Sequence, residues 1–409
     1  MMKKLKNNLI ELAYNNIPQY NHRINQMLEE KGLCDVNNIA FEDLPPYSKE
    51  DIKKWGIVNM LSIDVNRTKT VIQRTSGTTG EPMDIVWSHN DYISSLSTHW
   101  IYRYIRFNIT PDDRCFVTEQ GSIENGYSYI REGNQLVFNS SIVSQDSCNH
   151  IIKEIMEFKP KWMLCQLSVL FSILHLTSHD VKENMQFLRG IEFMSEPNVE
   201  YYKKAIEAVF PNVPMINMYG CTETNGIAYT CPQNHMHLME NNVFVEVLDK
   251  NDLPLPYGLD GNVCVTGLHN TIMPFIRYKL DDIGKIEKFE CSCGNKSPII
   301  TLKQSRLSEI LLFDNPNIYS GGSIYYPIKR LKNIKPTERD IVFKIFRFNL
   351  GDYVVGINNT LGYSTKIIEE TFHSILNEYG ITGINLRFIY DNIRKGGIEG
   401  ILRIHEEKS

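Results

Sequence analysis

Thr75-Ser76-Gly77-Thr78-Thr79-Gly80 sets six small or hydroxyl-bearing residues in a row between the β-type runs Val71-Ile72 and Ile85-Val86-Trp87. Backbone N–H and side-chain O–H groups in such a run can surround an anion, which is the chemistry of a phosphate-holding loop. A Walker loop needs Gly-Lys-Ser/Thr after its spacer, whereas Glu81-Pro82 follows Gly80, so the motif excludes a P-loop NTPase. Taken alone, the same run also reads as a turn between two strands.

Outward from this run the apolar spacing is regular. Residues 1–45 read as helices, with Leu9, Ile10, Leu12 and Ala13, then Ile24, Met27 and Leu28, at helical spacing and Gly32 as a stop. Residues 114–118 and 135–138 are short β-type runs, and residues 147–158 place Ile151, Ile152, Ile155, Met156 and Phe158 on one side of a helix. Strands over 162–165, 191–194 and 215–218 then alternate with helices over 167–176 and 199–210. That alternation predicts a mostly parallel sheet covered by helices. From Val243 onward short strands are broken by Gly258, Gly261 and Gly267, which predicts a smaller β-rich subdomain. Strands over 341–348, 353–357 and 384–390 and a helix over 365–379, stopped by Gly380, predict a compact α+β tail. The expected fold is α/β: a large domain over residues 1–307 with mostly parallel sheets and a β-rich subdomain, and a small α+β domain over 308–409.

A length of 409 residues fits this division, because single cores stop growing near about 250–300 residues. With 43 basic against 48 acidic residues and a formal charge of −5, composition gives no support for nucleic-acid binding or for attraction to an anionic membrane surface. Glu11, Asn15 and Asn16 interrupt the apolar run that a signal peptide would need. No stretch approaches the ~20 apolar residues of a membrane span, and a cytoplasmic protein is expected. Nine cysteines are too few and too scattered for a disulfide scaffold. Cys34, Cys115, Cys148, Cys165, Cys221 and Cys264 lack metal-like spacing and read as small apolar side chains or incidental thiols.

Further signals follow in a fixed order: Leu44-Pro45-Pro46-Tyr47-Ser48-Lys49-Glu50-Asp51, the hydroxyl-rich run, Phe193-Met194-Ser195-Glu196-Pro197, Met218-Tyr219-Gly220-Cys221-Thr222-Glu223, Met273-Pro274-Phe275-Ile276-Arg277-Tyr278-Lys279-Leu280-Asp281-Asp282, and Arg306-Leu307-Ser308-Glu309. In this order they resemble the adenylate-forming superfamily, and within it the phenylacetate-CoA ligase family, over almost the whole chain. The resemblance implies an ATP-dependent acid:CoA ligase. A carboxylate and ATP give an acyl-adenylate and pyrophosphate, and a thiol then displaces AMP. Two rivals share the same ATP motifs: an enzyme that passes the adenylate to an amine or hydroxyl, and a nucleotide-binding protein without catalysis.

By this resemblance Thr75, Ser76, Gly77, Thr78, Thr79 and Gly80 hold the phosphates, while Ser195, Glu196 and Pro197 line the adenine side. Tyr219 and Gly220 lie against the adenine ring, where an aromatic face adds stacking. Thr222 donates to the α-phosphate and Glu223 ligates Mg²⁺ as a hard oxygen donor. Asp282, with Asp281 as its alternative by one register, accepts from the ribose hydroxyls. Arg306 approaches the ribose or phosphate at a hinge near Leu307-Ser308. Two departures stand out: Glu81 occupies the position of a family lysine, and Ile401 occupies that of the catalytic lysine, for which Lys395 is the nearest substitute. The expected partners are ATP or AMP, Mg²⁺, CoA or an amine acceptor, and a small carboxylic acid, with a homodimer compatible. The acid's pocket is expected from residues 118–129 and 195–197, where Tyr127, Tyr129 and Phe193 suit an aromatic or apolar acid.

Cys231, His237, Cys291 and Cys293 sit in two short knuckles that suit a tetrahedral Cys₃His Zn²⁺ site without an open position. The resemblance favours His237 over His235. His89, His150, His175 and His179 are isolated and read as structural, and nothing near Cys221 in the sequence supplies the base a nucleophile needs.

Overall fold

The computed structural model describes residues 2–75, 83–119, 128–140, 145–181, 185–194, 200–304, 341–349, 352–359, 364–366, 369–370, 373 and 385–390. Along the chain come α1 (Met2–Asn16), α2 (Pro18–Lys31), α3 (Lys49–Trp55), β1 (Thr70–Arg74), β2 (Asp84–Ser88) and α4 (His89–Phe107). Next are β3 (Cys115–Glu119), β4 (Tyr129–Glu132), β5 (Gln135–Asn139), α5 (Gln145–Phe158), β6 (Trp162–Cys165), α6 (Leu167–Leu176), β7 (Gly190–Phe193) and α7 (Glu200–Val209). The series continues with β8 (Met215–Cys221), β9 (Asn225–Thr230), β10 (Met236–Leu238), β11 (Val243–Leu248), β12 (Gly261–Gly267), β13 (Tyr278–Glu287) and β14 (Ile299–Gln304). The tail contributes β15 (Ile341–Asn349), β16 (Asp352–Asn359) and β17 (Asn385–Tyr390).

The chain divides into two compact units, residues 1–111 with 216–308, and residues 112–215 with 309–409. In the first, strands run in the order β11-β12-β13-β14-β10-β9-β8, with each recorded pair antiparallel. The hairpin β1–β2 is a separate sheet. Its core joins α1 and α2 to the sheet through Ile10, Ala13, Ile17 and Ile24 against residues such as Val245, Val263 and Phe275. Helix α2 starts on Pro18 and ends where Gly32 takes the left-handed conformation, φ 63°, the stop that the sequence indicates.

In the second unit β6 pairs in parallel with both β3 and β7, and β3 pairs in parallel with β5, while β4 closes the edge antiparallel to β5. These strands are nearly continuous in burial, as expected when helices cover both faces. Their core, including Phe116, Phe138, Ile151, Ile155, Leu170 and Ile206, is separate from that of the first unit. The parallel sheet foreseen in the sequence therefore lies in residues 112–215, and the β-rich part is antiparallel and includes β8 and β9 as well. In the tail β15 and β16 pair antiparallel and β16 and β17 parallel. Of the expected helix over 365–379, Thr365, Lys366, Glu369, Glu370 and His373 are helical and the rest lies outside the described residues. Among the described residues, no helix is long and apolar enough to cross a membrane.

Candidate active site and metal centre

Tyr219-Gly220-Cys221 ends β8, Thr222-Glu223-Thr224 makes the turn, and Asn225 opens β9 with φ 62°. The hairpin closes tightly. A Cβ on Gly220 would lie 2.6 Å from the Asn225 carbonyl oxygen, and one on Gly226 would lie 1.8 Å from Nε2 of the His99 ring. Glycine at both positions is thus a matter of space. Asn242 Nδ2 donates to the carbonyls of Thr224 at 2.9 Å and Gly226 at 2.5 Å, and Asn225 Nδ2 donates to Ser95 Oγ on α4 at 2.6 Å. The turn is therefore held from two sides before any ligand arrives. Burial first, and then the Glu223 carboxylate, push the Cys221 thiol far above its ordinary range, which removes it as a nucleophile.

Two tyrosine–carboxylate hydrogen bonds join this hairpin to β13. Tyr219 Oη donates to Asp282 Oδ2 at 2.5 Å, and Tyr278 Oη donates to Glu223 Oε1 at 3.0 Å. Both carboxylates are buried, Glu223 at 7 % and Asp282 at 6 % exposure. Among the described residues no lysine or arginine pairs with Glu223, whose hydrogen-bond partner is a neutral phenol. An unpaired buried carboxylate is costly unless a cation meets it, so Glu223 fits a divalent ion with a hard oxygen. Thr222 is half-buried in the same turn.

Arg277, just before β13, has a structural part. Its backbone takes φ 56°, and its guanidinium is buried, donating to the carbonyls of Glu42 at 2.7 Å and Leu44 at 2.5 Å and to the Glu246 carboxylate at 3.2 Å. Burial, opposed by Arg277, raises the Glu246 carboxyl above its ordinary range. The Leu44-to-Asp51 segment thereby attaches to β13, with Tyr47 N–H donating to the Arg277 carbonyl at 3.1 Å and Lys279 N–H donating to the Tyr47 carbonyl at 2.8 Å. Two residues on, Lys49 Nζ donates to Thr75 Oγ1 at 3.4 Å. The same Thr75 pairs with Met83 at the base of the hydroxyl-rich run, through Thr75 N–H to Met83 O and Met83 N–H to Thr75 Oγ1, each 2.9 Å.

Thr75, Tyr219, Gly220, Thr222, Glu223 and Asp282 all belong to the first unit. Ser76, Gly77, Thr78, Thr79, Gly80, Ser195, Glu196, Pro197, Arg306 and Lys395 lie outside the described residues. Lys49 and Tyr278 lie within the sequence motifs, but the linear order does not show which side chain crosses to which strand. Phe193, read as a candidate pocket residue, is 3 % exposed inside the core of the second unit.

Cys231, His237, Cys291 and Cys293 come together with all ligand atoms within 4.8 Å of one another. Cys231 Sγ lies 3.8 Å from Cys291 Sγ, and Cys293 Sγ lies 3.4 Å from His237 Nε2. A tetrahedral zinc with ordinary bond lengths has S···S edges of about 3.8 Å and S···N edges of about 3.6 Å, so the donors fit such an ion. His237 Nδ1 is 2.8 Å from the Ser297 carbonyl and donates to it, which turns the Nε2 lone pair toward the thiols. Cys291 Sγ is also hydrogen-bonded to His235 Nδ1 at 3.2 Å, the first cause of a thiol held down to about 5, while burial pushes Cys231 up to about 11. His235, which the family resemblance ranked below His237, is a neighbour of the cluster.

A profile of the family described as AMP-binding enzyme matches residues 22–273, more than half of the chain. The chain is 23 % identical over 297 residues to Protein CapK of Staphylococcus aureus, a match covering 69 % of this chain and 63 % of that protein. It is 23 % identical over 285 residues to a phenylacetate-coenzyme A ligase of Aromatoleum evansii, covering 67 % and 63 %. The chain thus spans a little under two thirds of these relatives' length. Among solved structures, 2-hydroxyisobutyryl-CoA ligase in its postadenylation state superposes with a TM-score of 0.63 at 15 % identity, covering 99 % of this chain and 91 % of that one. At that identity the likeness is one of fold, and it is the fold expected from the motifs. The chain belongs to the AMP-binding enzyme family.

Proposed function

We propose that the chain activates a carboxylic acid as its acyl-adenylate and transfers the acyl group to the thiol of coenzyme A. What carries the reading is the hydrogen bond between Tyr219 and Asp282, which ties the adenine-side motif to the ribose-side motif within one unit. Tyr219 offers its ring to adenine, Asp282 accepts from the ribose diol, and Thr222 donates to the α-phosphate. Glu223 meets Mg²⁺, which when bound offsets charge on the phosphates. Thr75 to Gly80 hold the β- and γ-phosphates. The substrate carboxylate attacks the α-phosphorus, the bond to pyrophosphate breaks, Arg306 approaches the ribose or phosphate from the hinge, and Lys395 steadies the developing charge. In the second step the CoA sulfur attacks the acyl carbonyl and AMP leaves. Rotation of residues 308–409 about Leu307-Ser308 exchanges the two half-reactions. Zn²⁺ in the Cys231, His237, Cys291 and Cys293 cluster is structural, since four protein donors leave no position for water.

The test is acid-dependent exchange between pyrophosphate and ATP across aromatic, fatty and amino acids, followed by product analysis with CoA, amino sugars and amino acids. Exchange with at least one acid, and a CoA thioester as product, is expected. An amide or ester product would move the acceptor to an amine or hydroxyl. No exchange and no AMP release with any acid would overturn the ligase reading.

A further inference from the structure

Glu223 and Asp282 are each held by a phenol from the other's segment. Tyr219 stands four residues before Glu223 and reaches Asp282, while Tyr278 stands four residues before Asp282 and reaches Glu223. We propose that Tyr278 is the positioning residue of the divalent-cation site: its hydroxyl fixes Glu223 Oε1 so that the carboxylate is set for Mg²⁺ before nucleotide binds. The inference rests on the reading of Glu223 as the cation ligand.

The chemistry of the donor is what a metal carboxylate requires. A lysine or arginine at this place would neutralise Glu223 and compete with the dication, whereas a phenol orients the carboxylate and leaves its full charge for the metal. Among the described residues Glu223 Oε2 has no hydrogen-bond partner. The phenol is itself immobilised. The Tyr278 ring packs against Phe275, centroids 5.1 Å apart and planes at 71°, and against Tyr47 at 5.5 Å and 55°. Tyr47 Oη is hydrogen-bonded to Tyr20 Oη at 2.7 Å, and Tyr20 Oη accepts from the Ile276 N–H at 2.9 Å. Burial raises the Tyr20 phenol to about 12 and that of Tyr47 well above its ordinary value, so both supporting phenols stay neutral near neutral pH. A hydroxyl fixed by packing on two rings and a backbone bridge is preorganised for its partner.

The test is titration of Mg²⁺ against a fixed concentration of ATP with the full chain, reading nucleotide binding by calorimetry. Tyr278→Phe removes only the hydroxyl and is expected to raise the Mg²⁺ midpoint about tenfold, to leave ATP affinity at saturating Mg²⁺ within about twofold, and to recover with Mn²⁺, which binds such sites more tightly. Tyr47→Phe, in the same stack without contact to Glu223, is expected to leave the midpoint within about twofold. In a Glu223→Gln background Tyr278→Phe is expected to add nothing. A Tyr278→Phe midpoint equal to that of the unaltered protein, an equal shift from Tyr47→Phe, or independent multiplying effects of Tyr278→Phe and Glu223→Gln would each overturn the proposal. Failure of the unaltered protein to bind ATP at any Mg²⁺ concentration would overturn the nucleotide reading instead.

Discussion

Glu223, at 7 % exposure, faces a phenol and, among the described residues, no lysine or arginine, and a buried carboxylate so placed is suited to a cation that joins it. Asp282, 6 % exposed, accepts from Tyr219 at 2.5 Å. Hydrogen bonds to charged groups contribute about 1.5–3 kcal/mol, and a lost donor leaves the acceptor buried. Tyr219→Phe is therefore expected to lower unfolding free energy by about 1–3 kcal/mol, measured by urea denaturation; an unchanged midpoint would show that the bond contributes nothing. The motif residues were legible at this scale because Tyr-Gly-x-Thr-Glu and the paired aspartates are read in linear order. The crossing of Tyr219 to Asp282 and of Tyr278 to Glu223 was not, since partners 63 and 55 residues apart leave no local trace.

The hairpin of β8 and β9 depends on two close approaches, and they set its tolerance to change. A methyl group on Gly220 meets the backbone oxygen of Asn225 at 2.6 Å, and backbone cannot step aside as a flexible side chain can. Overpacking of this kind costs about 1–3 kcal/mol, so Gly220→Ala is expected to lower the thermal midpoint and weaken ATP binding together; a variant with both unchanged would contradict the hairpin's tight closure. In the second unit, β6 and α6 fall where apolar runs of the right length put them, because a parallel strand and its covering helix bury every side chain or one clear stripe. Helix α4 hides from the same reading. It buries Ser95, Thr98, His99 and Arg103 and exposes Ile93, Ile101, Tyr104 and Ile105, an inversion of the usual amphipathic pattern. Its polar face does specific tasks instead: Ser95 accepts from Asn225, and the His99 ring packs on Gly226. Strands β10 and β13 also escape a reading by alternation, the first with three residues and the second starting straight after the left-handed Arg277.

Across the whole molecule, two separate cores divide the labour between an antiparallel unit that carries the turn, Asp282 and the Cys/His cluster, and a unit built on parallel strands. The cluster joins His237 of β10 and the Cys231 turn to the Cys291–Cys293 knuckle, where β10 pairs with β14 through a single register position, His237 with Ile299. A metal held by the four donors would compensate for a short ladder. The purified protein is expected to hold about one zinc per chain by elemental analysis, and Cys293→Ser or chelation to lower the thermal midpoint; a chain free of zinc and indifferent to chelator would contradict it. The alternation of strand and helix and the ordered motifs made the fold class readable in advance, and the two Cys/His knuckles already gave the four donors as one set; what the pairing of the strands added is how close they come, with all ligand atoms within 4.8 Å of one another. All of this turns on one nucleotide meeting both motif segments. Calorimetric titration with ATP and Mg²⁺ is expected to show one site, weakened at least about tenfold by Asp282→Ala and made insensitive to Mg²⁺ by Glu223→Gln. No binding, or binding that neither substitution alters, would contradict the account.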